Sequence, residues 1–458
     1  MLFTGPVFLF LFLPVVLCGY YIFPTRFRNI WLIVASLFFY AWGEWSAIWV
    51  LLAMMLINYL LGIIIGKYHS RWWLAIAVLV NLGYIFYFKY LIFALTIVLG
   101  KSSTIIPQIV MPLGVSFVTF HLISYVIDIY RGEIKAEKNI FNFGLYILMF
   151  PHLIAGPIVR YKDIGEQIIK RTVSAELFAE GIKRFIGGLA KKVLIANIMA
   201  AVADQIFATF PQYLTGQMVW LGLISYSLQI YFDFSGYSDM AIGLAKMFGF
   251  NFKENFNYPY IADSIQDFWR RWHISLSSWF RDYLYIPLGG DRKGSLRTLI
   301  NIGIVFALTG LWHGANWHFV FWGMYFGVFL IAERLFLAKV LSRLGSVFRH
   351  TYVLLVVIIG WLFFRVESLS YSIYLLKVML GSNPNGFTVY KLSYFVTAEY
   401  LAILLLAIVL ATPFGKYSYT KLVTKFPRFD LIFFGGIMIL SIMQLAGETY
   451  NPFIYFRF

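Results

Sequence analysis

Cys18 is the only cysteine in a chain of 458 residues, which excludes an internal disulfide and any site built on several thiolates. Charge is also scarce. Asp, Glu, Lys and Arg make up 13% of the chain, against about 25% in a soluble domain. The acidic sign is the scarcer, with 21 residues against 37 basic ones and a balance of +16. Motifs that cradle nucleotides or raise a serine nucleophile are missing: no Walker A loop, GxGxxG turn or GxSxG elbow occurs. What is present is apolar, at 61% hydrophobic and 20% aromatic residues. A soluble protein with a large core would still need polar helix faces, and these are absent.

The positive balance invites a nucleic-acid partner, but its distribution argues against one. The basic residues gather in short segments between apolar runs, from Arg160 to Lys192, Arg281 to Arg297 and Lys416 to Arg428. Cytoplasmic loops of membrane proteins look like this under the positive-inside rule. No continuous basic stripe remains for a nucleic acid.

A helix needs about 20 apolar residues to cross the hydrocarbon core. The sequence predicts spans at 2–23, 30–52, 53–66, 72–99, 111–130, 140–159, 182–208, 217–250 (one crossing or two), 298–316, 317–333, 351–366, 395–412 and 429–447. The fold class expected is thus an all-α integral membrane protein with about 11–13 transmembrane helices. The first run lacks a basic leading region and a clear small-residue cleavage site, so it reads as a retained span. The stretch 252–290 is rich in Trp, Tyr, Arg, Asp and Pro. Irregular backbone at membrane depth is tolerated only inside protein or beside water, so re-entrant or interfacial helices lining a cavity are expected there. No repeat or linker divides the chain, and 1–458 reads as one domain. Arg26 and Arg28 follow the first span and place the N-terminus outside. Basic loops at 333–350 and 413–428 face the cytoplasm, and one more span carries the tail 448–458 out.

Ionisable groups in such surroundings are costly, and their default reading is functional. Of seven histidines, His69 and His350 sit in basic loops and read as solvated. His121, His152 and His318 are equally compatible with a function and with a buried imidazole bonded to a backbone carbonyl. His313 lies in Leu308 to Trp317 (LTGLWHGANW), between glycines that permit close backbone approach. Counted from Arg297 at the cytoplasmic edge, it sits roughly 24 Å along a helix. A neutral imidazole at that depth can serve as a general base. His273 lies in Phe268 to Ser277 (FWRRWHISLS). Trp269, Trp272, His273, Leu276 and Phe280 are spaced to share one face of a continuous helix, with Arg270 pointing elsewhere. An interfacial helix with an aromatic belt explains the tryptophans and arginines but gives His273 no task. Asp233 and Asp239 lie six apart in apolar sequence. They either pair with arginines as a brace, or one of them orients a histidine. His313 and His318 are five apart without an HExxH glutamate, so no metal site is expected.

Tyr231 to Gly243 (YFDFSGYSDMAIG), Phe268 to Gly290 (FWRRWHISLSSWFRDYLYIPLGG) and Leu308 to Trp317 resemble the membrane-bound O-acyltransferases. The resemblance is to the bacterial branch of alginate O-acetylases and peptidoglycan O-acetyltransferase membrane subunits. Pro112 to Phe117, Leu153 to Arg160 and Phe363-Phe364-Arg365 fit the same branch, although His152 stands where much of it has glutamine.

That resemblance implies a ring of helices around a thin centre with a cytoplasmic funnel. It implies catalysis by His313 with His273 beside it, and support from Asp233, Asp239, Trp269, Arg270, Trp272, Trp312 and Asn316. Acetyl-CoA is the implied donor, with no permanently bound cofactor and no metal. Tyr455, in the aromatic tail, is the implied acyl carrier; the tail alone reads equally well as a membrane anchor. A periplasmic SGNH-type partner would pass acetyl to a polysaccharide, peptidoglycan or alginate, from a protein in the bacterial inner membrane with both termini periplasmic. A transporter of a lipid-linked sugar or acyl donor would call for paired internal repeats, which the sequence lacks. Direct acylation of a lipid or a protein is a further alternative.

Overall fold

The computed structural model describes residues 1–100, 109–382 and 390–447, and these form helices joined by irregular segments, with no strand among them. Among the described residues, six helices are long and apolar enough to cross a bilayer: Ile48–Tyr68, Arg71–Leu99, Ala175–Ala208, Ser295–His313, Ser346–Arg365 and Phe429–Gly447. Ala398–Leu410 and Phe414–Lys425 would together make another, bent by 84° where Pro413 cannot continue the helix. Phe8–Ile22, Val115–Tyr130 and Leu369–Met379 are apolar but shorter.

The sequence expectation cuts 30–52 from 53–66, but the break lies at 45–47, between Thr25–Glu44 and Ile48–Tyr68; it leaves 217–250 open between one crossing and two, and it takes 140–159 as one span. The stretch 217–250 holds one unbroken helix, Gly216–Met247, of 32 residues. The stretch 140–159 is not one helix: Ile140–Leu148 stops at Met149, whose ψ is 113°. Pro151 follows, and its ring and missing N–H forbid a smooth continuation. The amide of Phe150, freed by the break, donates to Ser36 Oγ at 3.1 Å.

The chain divides into two compact units. The first gathers the described residues within Met1–Phe185, Tyr237–Glu254 and Arg281–Tyr283. Its core is aromatic. Phe3, Phe8, Phe39 and Phe150 interlock, with centroids 4.9 Å apart for Phe3 and Phe8 and 5.4 Å for Phe39 and Phe150. Tyr237 stacks on Phe3 at 4.7 Å. The buried amides of Asn58 and Asn81 bond each other reciprocally at 3.1 and 2.7 Å, which ties two apolar helices without an unsatisfied polar group. Irregular backbone before Arg160 is buried, and side chains complete it: His121 Nε2 accepts from the Val159 amide at 3.3 Å, and Tyr146 donates to the Val159 carbonyl at 3.3 Å. His152 Nε2 donates to the Tyr146 carbonyl at 2.8 Å. Arg160 pairs with Asp282 at 2.7 Å.

The second unit gathers the described residues within Ile186–Gly236, Asn255–Phe280 and Leu284–Phe458. Its centre is the hairpin of Ser295–His313 and Trp317–Ala332. These helices meet backbone to backbone. A Cβ on Gly310 would lie 2.1 Å from the Phe319 carbonyl oxygen, and one on Gly323 would lie 2.1 Å from that of Phe306. Small residues permit such approach between helices in lipid. Ser346–Arg365 packs alongside, and Gly360 leaves room for the Phe326 ring. The polar-aromatic stretch folds as two short helices, Ile265–Arg271 and Ile274–Phe280. Glu333 holds the first of them, its carboxylate accepting from the amides of Ile265 and Gln266 at 2.7 and 3.1 Å. A carboxylate at a helix N-terminus meets unpaired amides and the positive end of the dipole. His350, read from sequence as solvated, is half-buried, and its Nδ1 lies 3.0 Å from the Ala262 carbonyl.

Candidate functional site

His313 is the last residue of Ser295–His313, and Gly314 leaves the helix in extended geometry. The turn to Trp317 is closed by Asn316, whose side chain accepts from the His318 amide at 3.4 Å. Asn316 is exposed and serves here as a helix cap. The His313 ring is half-buried. Three aromatic rings face it edge-to-face: Trp312 at 4.8 Å, Trp322 at 5.0 Å and Phe364 at 5.2 Å between centroids.

His273 comes from the break between the two short helices. The single helical face expected from its spacing does not form, because the chain turns at His273, whose φ is 44°. For a residue with a Cβ this conformation costs about 1–2 kcal/mol, and such strain concentrates at functional sites. Backbone pairing compensates it: the Ile274 amide donates to the Asn255 carbonyl and the Asn257 amide to the Arg271 carbonyl, each at 2.9 Å. The His273 ring is 1% exposed. Its Nδ1 lies 3.1 Å from Asn255 Oδ1, which also accepts from the Ser275 hydroxyl at 2.8 Å and the Ser275 amide at 3.2 Å. Burial pushes the pKa of this imidazole down, towards the neutral form. Phe234 packs edge-on against it at 4.6 Å, and Trp312 at 6.2 Å.

Trp312 therefore touches both histidine rings, and this is where the structure brings the two candidates together. Trp272 lies at the break, against Trp361 at 4.9 Å and Phe256 at 5.1 Å. Trp269 packs one layer away, on Phe326 at 5.1 Å and Trp322 at 5.8 Å. Arg270 is exposed. The two aspartates part company. Asp233 pairs with Lys192 at 2.8 Å in this unit, whereas Asp239 belongs to the other unit and pairs with Arg184, which also reaches Glu254. Tyr455 lies outside the described residues. Among the described residues, no group of three or more His, Cys, Asp or Glu side chains gathers as metal ligands.

Asn255, Ser275, Phe234, Trp322 and Phe364 were not singled out from sequence. Asn255 and Ser275 fall inside the anomalous stretch 252–290, Phe234 inside the Tyr231 to Gly243 motif and Phe364 inside the Phe363-Phe364-Arg365 motif, so a signal existed for these four. Nothing local points to the amide of Asn255 as a partner for an imidazole eighteen positions along.

Residues 131–376 match the model of the membrane-bound O-acyltransferase (MBOAT) family. The chain is 39% identical to the probable alginate O-acetylase AlgI of Azotobacter vinelandii, over 100% of both chains. It is 45% identical to the protein of the same name in Pseudomonas aeruginosa, over 81% of this chain and 73% of that one. It is 35% identical to the peptidoglycan O-acetyltransferase of Helicobacter pylori, over 84% of this chain and 80% of that one.

Proposed function

Because the chain belongs to the membrane-bound O-acyltransferase family, and is thus a multi-pass membrane acyltransferase, we propose that it draws acetyl groups from cytoplasmic acetyl-CoA and exports them for O-acetylation of a polysaccharide. The observation that best supports this reading is the contact of one indole, Trp312, with both imidazoles, His273 and His313. Two imidazoles on one aromatic wall suit a reaction in which a hydroxyl must lose a proton while a thioester is held in place.

In the proposed step, an acceptor hydroxyl oxygen attacks the thioester carbonyl carbon, and His313 takes the hydroxyl proton. The C–S bond then breaks, and the proton passes to the departing CoA sulfur. Base assistance of this kind is worth about 10²–10⁴-fold. His273 sits across Trp312 and helps to hold the hydroxyl. The aromatic walls exclude water that would otherwise hydrolyse the thioester.

The first acceptor in this reading is the phenol of Tyr455, on a tail that faces the periplasm along with the N-terminus in the inner membrane. A phenyl acetate is reactive enough to hand its acetyl group on, and a periplasmic SGNH-type partner would receive it. The relatives' names, alginate O-acetylase and peptidoglycan O-acetyltransferase, support a polysaccharide as the final acceptor.

The test uses purified protein with acetyl-labelled acetyl-CoA and no partner. Label trapped on Tyr455, and lost in Tyr455→Phe, is the expected result. Label passing directly to added lipid, with Tyr455 unmodified, would overturn the relay.

A further inference from the structure

The surroundings of His273 determine which of its nitrogens carries the proton. The Ser275 main-chain N–H can only donate, and it points at the Asn255 side chain from 3.2 Å. The atom facing it is therefore the amide oxygen, since a flipped amide would set donor against donor. That oxygen accepts only, so His273 Nδ1, at 3.1 Å, must be the donor. The Ser275 hydroxyl also lies near enough to donate to Nδ1. It lies 3.5 Å from Nδ1 but 2.8 Å from the Asn255 oxygen, and the shorter bond wins. Asn255 is fully buried and Ser275 is 7% exposed, so bulk water does not compete for these bonds.

We infer that Asn255, supported by Ser275, is a positioning residue that holds His273 as the tautomer protonated on Nδ1, so that Nε2 is the nitrogen that accepts a proton or hydrogen bond from the acceptor hydroxyl. The inference rests on the reading that His273 takes part in acyl transfer, and it assigns that histidine the role of acceptor. A neutral His273 protonated on Nδ1 presents no N–H at Nε2 to the thioester oxygen.

The side chain of Asn255 is separable from its structural duty. The turn at His273 is tied by the main-chain carbonyl of Asn255 to the Ile274 amide, and Asn255→Ala leaves that bond in place. What the alanine removes is the oxygen that faces Nδ1 and accepts from the Ser275 amide and hydroxyl. Asn255→Asp keeps an acceptor oxygen at the same place.

The experiment is nitrogen NMR of full-length, ¹⁵N-histidine-labelled protein in detergent, with the His273 signals identified by their loss in His273→Ala. The expected result is an Nδ1–H tautomer in the native protein, its loss or mixing in Asn255→Ala, and its return in Asn255→Asp. In parallel, kcat for acetyl transfer falls about 10–100-fold in Asn255→Ala, the size typical of residues that orient a functional imidazole. KM for acetyl-CoA stays within a few-fold, and Asn255→Asp recovers much of the rate. A native His273 protonated on Nε2, or an unchanged tautomer in Asn255→Ala, overturns the inference. Full transfer by His273→Ala would remove the role of His273 in the reaction, while the spectra would still report whether Asn255 sets its proton.

Discussion

Lys192 and Asp233 meet at 2.8 Å with side chains only 4% and 2% exposed. The residue after Asp233 is Phe234, whose ring packs edge-on against His273. An ion pair this deep is a poor source of net stability, but removing one partner strands a charge away from water. Lys192→Met is expected to cost about 3–5 kcal/mol, read as a lower unfolding temperature in detergent. Lys192→Met combined with Asp233→Leu should recover most of that loss. A single variant as stable as the native protein would show that the pair does not confine a charge.

His313→Ala should lower acetyl transfer by about 10²–10⁴-fold without removing the protein from the membrane. The half-buried His313 ring packs edge-to-face against Trp312, Trp322 and Phe364. Transfer of labelled acetyl, set against the yield of membrane-extracted protein, distinguishes lost chemistry from lost fold. Near-native transfer would end its assignment as the base.

Gly310→Ala should destabilise the helix hairpin by about 1–3 kcal/mol or more. The new methyl group would meet Phe319 backbone at 2.1 Å, and backbone cannot swing aside as a side-chain tip can. Gly303→Ala, in the same helix but with nothing within 4 Å, is the control. It should be neutral or stabilising by about 0.5–1 kcal/mol through helix propensity. Thermal unfolding of the two variants side by side decides the point.

Acid should weaken the first unit through Asp282. Burial alone lifts this carboxyl, but the guanidiniums of Arg281 and Arg160 more than offset it, so its pKa is lowered from the ordinary 3.8. A lowered carboxylate stabilises the fold at pH above its unfolded value, and that stability is lost as pH falls from about 3.8 through the folded value. Asp282→Asn should therefore flatten the dependence of stability on pH in that acid range and leave its slope near neutrality unchanged. Equal slopes in both proteins below pH 4 would refute this.

Much of the molecule was legible before any coordinate. Hydrophobic length alone marks Arg71–Leu99 and Phe429–Gly447 as spanning helices, because a bilayer demands a fixed run of apolar residues whatever the neighbours are. His313 stands out in the sequence as a candidate because an imidazole between glycines in an apolar run has few ordinary explanations. Pro151 lies inside the stretch expected as one span at 140–159 and marks where it breaks.

His273 shows where sequence stopped. Its spacing from Trp269 and Leu276 fits a helical face, since periodicity reports only on local neighbours. The left-handed turn there depends on backbone pairing with Asn255 and Asn257, far off in the chain. The aspartates teach the same lesson: six residues apart on one helix, Asp233 and Asp239 went to different units and different cations.

By itself, then, the order of residues determined that this chain enters a membrane as helices and which two imidazoles deserve suspicion, because solvent transfer and helix length are properties of short segments. Only the tertiary structure decided that both imidazoles lean on Trp312, and which nitrogen of His273 holds its proton. The first depends on how rings from separate segments pack, and the second on hydrogen-bond geometry between residues that folding brings together, as Asn255 and His273 are at 3.1 Å.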